Sequence, residues 1–369
     1  MKYTVFMCQG TDRVGEVEYT KLIVSLKYLT HGSWEMDVEY LPDVVTWQSR
    51  IEVVRNGTLI FSGPFSKLNR TWTYAETDTR RFSGTCDFTF LEHRFASPDP
   101  SLSTGPYNTQ VADVRSGVAE TIIRQYIYYN AGAGAVTTRV VDGLALATDQ
   151  GRGSNVAGRA RFDDLVTLCR TLALAGGVAF EVVGMQVRFY VPSDKTSTVV
   201  FSEKLDNIEK FEYRAGPPKA NYVVVLGGGE GTSRTSYEIG DALSIMLNGR
   251  REAIVDARQT SETSELAQKG IATLQEMGNE DLNLQIIPGL AAVESMEPFI
   301  NFYLGDVVTL MIDDLTVQAQ VQEIRIEDSQ DKVQESITIG NFGKGSRYIT
   351  SRDLLSTLSS RIRRLESAT

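Results

Sequence analysis

Residues that hold a scaffold together through covalent or metal bonds are scarce in this sequence. Its 369 residues include three cysteines, Cys8, Cys86 and Cys169, which lie far apart and form no CxxC pair. This spacing excludes a disulfide framework and predicts small buried hydrophobes in a reducing compartment. The two histidines are too few for a His-rich metal centre. We expect His31 to be a turn residue and His93 to be a structural or surface residue.

Long apolar runs and an excess of positive charge are missing as well. The N-terminal apolar run is too short for a signal peptide, and the longest uncharged apolar stretch, residues 171–180, is about half a membrane span. We therefore expect no membrane anchor. Lysine and arginine number 37 and aspartate and glutamate 47, which gives a net charge of −10. An acidic balance disfavours binding to nucleic-acid phosphates or to anionic membranes.

The common catalytic motifs are also missing, since the sequence contains no GxSxG, HExxH or cysteine–histidine hydrolase motif. A glycine-rich stretch, Gly227–Arg234, follows a strand-like run but lacks Gly-Lys-Ser/Thr, so we expect a hairpin loop rather than a phosphate-binding loop. Paired carboxylates are too common among 47 acidic residues to nominate a catalytic pair. The sequence thus predicts a protein that is not an enzyme, with no cofactor and no metal.

Strand-like alternation is present instead. From Trp34 to Tyr40 every second residue is apolar and every intervening residue is acidic. This period of two predicts a strand with one buried face and one face in solvent. In a ring, such a row would line a channel and repel polyanions, although an ordinary solvated strand face has the same pattern. The carboxylates of this acidic row are Glu35, Asp37 and Glu39.

The rest of residues 1–95 has the pattern of short antiparallel strands. Asn56-Gly57 lies between two apolar runs and predicts a hairpin, because a type I′ turn needs positive φ at both central residues. We expect Gly63-Pro64 to end the second strand of that hairpin, and the alternation of Thr85–Leu91 predicts another strand. Several short strands at this spacing predict an antiparallel barrel or sandwich.

A proline-containing segment, residues 96–107, marks a boundary beyond which the period changes. Apolar residues then recur at spacings of four, which predicts one face of a helix. A second helix is expected near Phe162–Ala175 with glycines behind it as a stop, and a hairpin is expected around Gly184. We therefore predict a small α+β domain in the middle of the chain. The residues of the first helical face are Val114, Val118, Ile122 and Tyr126.

From about residue 201 strand-like runs return, including Asn221–Leu226, and one helix is expected near Ser264–Met277. The last segment differs, because apolar residues spaced three and four apart form the a/d pattern of a heptad. We expect a short basic helix there that docks to a partner or packs on the chain's own body. The residues of this C-terminal seam are Leu355, Leu358, Ile362 and Leu365.

These patterns predict a mainly β fold with an α+β insertion. We divide the chain into four segments. They are a strand-rich region at 1–96, the α+β middle domain at 97–200, a second strand-rich region with one inserted helix at 201–340, and a linker with the C-terminal helix at 341–369.

Six stretches of the sequence, distributed over about residues 30–340, carry a resemblance through their order and spacing. They are Leu29–Pro42 with Trp34, Ile51–Pro64, Ala220–Arg234, Arg250-Arg251-Glu252, Leu304–Val308 and Ile337–Gly340. None is a catalytic motif. Their order and spacing resemble the baseplate hub, or tail-tip, proteins of long-tailed bacteriophages, particularly a group found in siphophages of Gram-positive hosts.

The resemblance implies a trimeric ring that closes the distal end of the tail tube and connects it to the tip. Each chain would supply two tube-type antiparallel β-barrel domains, at 1–96 and 201–340, so that three chains present six similar units to the sixfold tail. A central channel would let the tape-measure protein and DNA leave, with no specific binding of DNA. The implied location is the virion tail tip, after assembly in the host cytoplasm. Implied partners are further copies of the chain, the distal tail protein, the tape-measure protein and a tip or fibre protein at the C-terminal helix.

Two other functions stay open. A carbohydrate-binding adhesin of the tail tip would use exposed aromatic platforms such as Trp47 or Trp72, although a buried tryptophan is the commoner fate. A peptidoglycan hydrolase is less favoured. Many members of the resembled family continue into a C-terminal hydrolase, whereas this sequence stops at Thr369 after one short predicted helix.

Overall fold

A computed structural model describes residues 3–39, 46, 49–73, 76–103, 109–214, 217–278, 283–288, 296–312, 315–329 and 332–340. Strands make up 47% and helices 20%, with five helices among the described residues, and the large sheets are antiparallel. The expected mainly β class is therefore confirmed. The chain forms two compact units, Met1–Val191 with Arg325–Glu335 (unit 1) and Pro192–Ile324 with Ser336–Thr369 (unit 2). The division into four segments stays a prediction.

Unit 1 begins at the N-terminus and contains three helices. Its strands are β1 (Tyr3–Gln9), β2 (Asp12–Val17), β3 (Lys21–Lys27), β4 (Ser33–Val38), β5 (Ser49–Arg55), β6 (Thr58–Thr73), β7 (Glu76–Thr85), β8 (Phe95–Ala96), β9 (Asp113–Val118), β10 (Ala145–Leu146), β11 (Asn155–Ala160), β12 (Asp163–Asp164), β13 (Ala179–Val183) and β14 (Gln186–Tyr190). Its helices are α1 (Thr89–Glu92), α2 (Ala119–Asn130) and α3 (Leu165–Gly176).

The strands that follow begin in unit 2, and residues 325–335, the tip of the last hairpin, belong to unit 1. These strands are β15 (Val200–Ser202), β16 (Ile208–Arg214), β17 (Tyr222–Leu226), β18 (Ser236–Gly240), β19 (Glu252–Asp256), β20 (Asn283–Pro288), β21 (Val307–Ile312), β22 (Leu315–Ser329) and β23 (Val333–Gly340). The helices are α4 (Ala242–Asn248) and α5 (Thr263–Met277).

The main sheet of unit 1 has the strand order β2-β1-β5-β6-β7-β4-β3, and neighbouring strands are antiparallel. The predicted hairpin at Asn56-Gly57 is confirmed, because these residues have φ of 49° and 83° and join β5 to β6. Among the described residues β2 has no neighbour on its outer side. Closure of this sheet into a barrel therefore stays a prediction.

β6 is 16 residues long, so the prediction that Gly63-Pro64 ends its strand is wrong. Its first half pairs with β5 as far as Pro64, and its second half pairs with β7 from Phe65 onward. Glycine is needed at this change of partner, because a Cβ at Gly63 would collide with the carbonyl oxygen of Thr85. The Gly-Pro pair thus marks a corner within one strand rather than its end.

The strand predicted over Thr85–Leu91 is also wrong. β7 ends at Thr85, and residues 89–92 form the single helical turn α1. The cause is tertiary, because Asp87 is fully buried and its carboxylate accepts hydrogen bonds from Arg50 and Ser62. An aspartate on the solvent face of a strand could not make these contacts.

The middle region of unit 1, residues 109–191, packs α2 against α3 and α3 against β11 around a broad apolar core. The first predicted helix begins later than expected, since Val114 and Val118 lie on β9 while Ile122 and Tyr126 are buried on α2. The second is confirmed as α3. Its N-cap Asp164 accepts a hydrogen bond from the Thr167 N–H at 2.7 Å.

Glycines fix the other two turns that the sequence predicted in this region. Gly177 ends α3 in the left-handed conformation, with φ 69°. The hairpin of β13 and β14 turns at Gly184 and Met185, with φ of 61° and 59°. Both predictions are confirmed.

The sheet of unit 2 has the strand order β15-β21-β22-β23-β20-β16. Between β16 and β20 the chain forms an insertion, residues 217–278, in which α5 packs on the three-stranded sheet β18-β17-β19. The predicted strand at Asn221–Leu226, the hairpin loop at Gly227–Arg234 and the helix near Ser264–Met277 are confirmed here as β17, the β17–β18 loop and α5. The short helix α4 was not expected.

Candidate assembly surfaces

The acidic row lies on β4, which pairs with β3 on one side and with β7 on the other. Glu35 and Glu39 are exposed, as expected, but Asp37 is only 9% exposed. Its cross-strand neighbours are Lys21 and Arg81, and Arg81 donates two hydrogen bonds to its carboxylate at 2.7 and 2.8 Å. The expectation of a row that faces solvent throughout is therefore wrong at Asp37.

Opposite charges lie side by side in a shallow recess at the acidic row. Hydrogen bonding to Asp37 raises the pKa of Arg81, so the guanidinium stays charged. Two basic side chains, Arg81 and Lys21, therefore lie beside the carboxylates of the acidic row. The recess is lined by Lys21, Ile23, Glu35, Met36, Asp37 and Arg81.

One of the two tryptophans expected as glycan platforms is well placed for contact with a partner. Trp72 is 65% exposed, and Trp47 lies outside the described residues. Trp72 is the last of seven consecutive exposed residues, Ser66–Trp72, in the second half of β6. Trp34, by contrast, is buried, and its ring meets Phe65 edge to face at 4.9 Å.

β5 contains a set of buried charges that the sequence did not reveal. All residues of this strand are buried, including two arginines and a glutamate. Ionised groups are costly inside a protein unless they are paired, and each of these has a partner of opposite charge. The Nε–O distances are 2.7 Å for Arg50–Asp87, 2.7 Å for Arg13–Glu52 and 3.5 Å for Arg55–Glu335.

Asp87 also joins the middle region to the main sheet of unit 1. Its carboxylate accepts hydrogen bonds from Ser62 Oγ at 2.5 Å and from the Met185 N–H at 3.2 Å. The Gly184 N–H in turn donates to Ser62 Oγ at 2.6 Å. These contacts fix the β13–β14 turn against β6. Four hydrogen bonds, from Arg50, Ser62 and Met185, therefore reach this carboxylate.

A second buried network, also within unit 1, joins β1 to the tip of the β22–β23 hairpin. Tyr19 Oη lies 2.8 Å from Asp328 Oδ2 and 3.0 Å from the carbonyl oxygen of Tyr3. The Tyr3 hydroxyl donates to the Glu335 carboxylate. Burial raises the pKa of Asp328 and, more strongly, the pKa values of both tyrosines. The tip of the β22–β23 hairpin is thus held through the uncharged hydroxyl groups of Tyr3 and Tyr19.

The cysteines lie in surroundings that suppress their reactivity. Burial raises the pKa of the Cys8 and Cys86 thiols to about 11, and it raises that of Cys169 further. Thiols with such pKa values are protonated at neutral pH and are poor nucleophiles. Cys8 and Cys169 are buried, as expected, whereas Cys86 is half-buried.

Both histidines are exposed. His31 lies in the β3–β4 loop with Nδ1 2.8 Å from the Glu92 carboxylate, and His93 is exposed after α1. Within the described residues no cluster of His, Cys, Asp or Glu could hold a metal ion. No helix in the described part of the chain is long and apolar enough to cross a membrane. The C-terminal seam of Leu355, Leu358, Ile362 and Leu365 lies outside the described residues.

Comparison with known sequences decides the family. A profile of the family described as Siphovirus ReqiPepy6 Gp37-like protein matches residues 9–341, which is most of the chain. The chain belongs to this family. The resemblance to tail proteins of long-tailed phages is thereby confirmed. No curated protein matches the chain.

Solved structures of tail proteins share the fold of this Gp37-like chain. A tail protein from Neisseria meningitidis MC58 superimposes with a TM-score of 0.61 at 13% identity, over 92% of this chain and 97% of its own. The 43 kDa tail protein of prophage MuSo2 from Shewanella oneidensis gives 0.57 at 11%, over 92% and 98%. Prophage tail protein gp18 from Listeria monocytogenes EGD-e gives 0.56 at 10%, over 98% and 99%. At these identities the similarity establishes the fold.

Proposed function

We propose that the chain is a structural virion protein, a trimeric baseplate hub that closes the distal end of the tail tube and connects it to the tip. One observation carries the proposal: a member of this siphovirus family has the fold of three tail proteins, two of them from prophages, over at least 92% of its length. The buried charges support a structural role, because Asp87 and its partners use their donors and acceptors on one another.

In the proposed ring the acidic row of Glu35, Asp37 and Glu39 faces the central channel. Such a wall suits the passage of DNA and of the tape-measure protein. Binding of DNA phosphates gains free energy when basic groups release counterions, and here Arg81 is already paired with Asp37. A weakly negative wall provides few unpaired basic groups for the DNA phosphates, so the DNA passes through the channel without specific binding.

The proposed neighbours are the distal tail protein, the tape-measure protein and a tip or fibre protein. The basic C-terminal segment is the proposed dock for the tip protein, through the predicted seam of Leu355, Leu358, Ile362 and Leu365. The chain would be assembled in the host cytoplasm and carried in the tail tip of the virion. A role of this kind requires no cofactor and no metal.

Imaging of assembled tails tests the hub directly. Antibody or tag labelling of the chain, followed by averaging of the tail tip, is expected to show three copies around the tail axis. A single copy in an asymmetric position would overturn the trimeric hub. Light scattering of the purified chain over a concentration series is the companion measurement, with a species of three times 40.8 kDa as the expected product.

A glycan-binding adhesin is the second candidate, and the exposure of Trp72 favours it. An indole exposed to 65% offers a flat apolar face on which a sugar ring can stack. Binding to a glycan array that Trp72→Ala removes and Phe162→Ala leaves intact would support this function, since Phe162 is an exposed aromatic residue elsewhere in unit 1. A hydrolase is the third, and clearing of purified cell wall in a zymogram would be its evidence.

A further inference from the structure

The short helix α4 in the insertion of unit 2 turns an apolar side outward. Its outward face consists of Leu243, Met246 and Leu247, which are 38%, 72% and 45% exposed. Their spacing of three and four residues places them together on one face of the helix. A surface helix ordinarily turns such a face towards the body of its protein, so α4 has the reverse arrangement.

Polar contacts hold the other side of α4 to the insertion. Ser244 is 4% exposed, and its Oγ lies 3.3 Å from Nδ2 of Asn221. The same Nδ2 donates a hydrogen bond to the carbonyl oxygen of Gly249, directly after the helix, at 2.8 Å. The N-cap Asp241 accepts a hydrogen bond from the Ser244 N–H at 2.9 Å. The three side chains of the outward face take no part in these contacts.

The described part of the chain ends close to this insertion. Ile339, next to the last described residue, is the strand partner of Leu284 on β20. Leu284 lies seven residues after Met277, which is a reach of at most about 25 Å. The carbonyl oxygen of Met277 accepts a hydrogen bond from the Ala220 N–H at 3.1 Å. The next residue, Asn221, is the one that holds α4.

The sequence continues for 29 residues beyond Gly340 and contains the C-terminal seam. Leu355, the first residue of the seam, comes fifteen residues after Gly340, and an extended chain of that length spans about 50 Å. This is longer than the path from Gly340 to α4 through the contacts above. The seam also needs a partner, because an isolated helix shorter than about 12–15 residues is marginal in water.

The insertion and the last segment of the chain are opposite in charge. Residues 217–278 carry eight acidic and six basic side chains, whereas residues 341–369 carry six basic and two acidic ones. Glu238 and Glu252, on the strands before and after α4, are both exposed. Glu252 is bound by Arg250 at 2.6 Å, so the attraction is one of net charge rather than of a single ion pair. Opposite net charges favour contact between the two segments.

We propose that the C-terminal seam packs on the outward face of α4 of its own chain while the chain is free. The contact rests on the proposed function in one respect only, that the seam is also the dock for a tip or fibre protein. Such a protein then has to displace the seam from α4, and until it does so the apolar side chains of both elements are covered. The occupant of the outward face is the row of Leu355, Leu358, Ile362 and Leu365.

Charges placed on the outward face test the contact. The variant is Met246→Glu with Leu247→Glu, and neither side chain belongs to the buried core of the insertion. The matched control is Val111→Glu with Val114→Glu, which changes two exposed apolar residues of unit 1. Circular dichroism shows whether each variant is folded.

Trypsin cleavage of the full chain after Arg361, Arg363 and Arg364, followed by mass spectrometry, is the measurement. Cleavage of the wild type is expected to be slow, because a packed segment has to open before a protease binds it. The α4 variant is expected to be cleaved about tenfold faster or more, since the open form is then populated more often. The control is expected to match the wild type. A wild type that is cleaved as fast as the α4 variant, or a control that is accelerated equally, would overturn the contact.

Engineered cysteines identify the occupant. Met246→Cys combined with Leu358→Cys or with Ile362→Cys is expected to form a disulfide on oxidation, in a product at the monomer mass of 40.8 kDa. Val111→Cys combined with the same two changes is the control and should form none. A cross-linked product only at twice that mass would assign the seam to a second copy and overturn the contact within one chain. Cross-linking with neither seam position would overturn it outright.

The two proposals fail separately. Proteolysis and cross-linking concern the free chain, so a seam that never contacts α4 leaves the trimeric hub and the tip dock in place. Tails that carry a single copy of the chain remove the trimeric hub and leave the contact with α4 in place.

Discussion

The middle region of unit 1 and the insertion of unit 2 are both small α+β assemblies, but they hold together in different ways. The core of the middle region is shared, because Leu29 and Phe88 from the first strand-rich segment belong to the same buried cluster as α2 and α3. The core of the insertion is its own. Its buried members are Val223, Val225, Ala257 and Leu266.

The consequence is a difference in cooperativity. Opening the middle region would uncover Leu29 and Phe88 and break the hydrogen bonds that join Met185 to the main sheet through Asp87, so its unfolding is tied to that of the main sheet. The insertion has α5 on its sheet, while Met246 of α4 and Ile254 of β19 are 72% and 71% exposed. A region with a small core of its own can open by itself, at a free energy below that of global unfolding.

The largest expected effect comes from the carboxylate that joins the middle region to the main sheet. Asp87→Ala leaves Arg50 buried without its counter-charge, which is expected to lower the free energy of unfolding by about 4 kcal/mol. Urea denaturation followed by circular dichroism measures it. Asp142→Ala, at an exposed aspartate of the same region, is the control and should change it by less than about 0.5 kcal/mol. A loss below 1 kcal/mol for Asp87→Ala would contradict the tie.

A matched pair of leucines compares the two cores directly. Leu172 on α3 and Leu266 on α5 are each 2% exposed, and replacing either by alanine is expected to cost about 3 kcal/mol locally. The two substitutions are expected to differ in how much of the chain they affect. Leu172→Ala should speed amide exchange across unit 1, whereas Leu266→Ala should speed it only within residues 217–278. If Leu266→Ala sped amide exchange as far beyond its own region as Leu172→Ala does, the insertion would be as cooperative as the middle region.

The N-termini of α3 and α5 give a second, smaller difference between the middle region and the insertion. Asp164 caps α3 through its side chain, whereas Glu262 at the start of α5 makes no side-chain cap. Asp164→Ala is therefore expected to cost about 1 kcal/mol, and Glu262→Ala almost nothing. Thermal denaturation of both variants beside the wild type measures the difference. A cost for Glu262→Ala as large as that for Asp164→Ala would contradict the assignment.

The smallest expected effect is a change in pH dependence at the tip of the β22–β23 hairpin. Burial raises the pKa of Asp328 and so favours its protonated form, although the hydrogen bond from the Tyr19 hydroxyl acts in the opposite direction. The raised pKa of this carboxyl means that its contribution to stability is fully present below the ordinary carboxyl pKa of about 4 and is lost as pH rises through the folded-state value.

Asp328→Asn stays neutral and should remove that pH dependence. The difference in unfolding free energy between this variant and the wild type is expected to move in favour of the variant as pH rises above about 4. Urea denaturation at several pH values measures it. A difference that does not change with pH would show that Asp328 titrates normally in the folded chain.

Local pattern predicted much of this fold. Asn56-Gly57 needs only its own positive φ to form a turn, and the glycine stop after α3 likewise acts through its own backbone. The spacing of Val114 and Val118 misled because four is also an even number, so residues four apart share a face in a strand as well as in a helix. The sequence did not predict α4, because most of its apolar residues are exposed and form no buried helical face.

The candidate surfaces were harder to predict, because their character depends on partners far along the chain. Asp37 was placed correctly on β4, but its guanidinium partner Arg81 lies 44 residues away. Asp87 and Arg50 are 37 residues apart, and nothing local marks either of them as buried.

That corner has a mechanical consequence. β6 is one covalent strand of 16 residues that contributes its first half to the ladder with β5 and its second half to the ladder with β7. At roughly 3.3 Å per residue it would reach about 50 Å if it were straight. A pull on its exposed half is therefore transmitted along the backbone of β6 and then, through the hydrogen bonds of the β5–β6 ladder, to the strand that holds Arg50. Strain applied to the exposed half of β6 therefore reaches the strand that carries the buried Arg50–Asp87 pair.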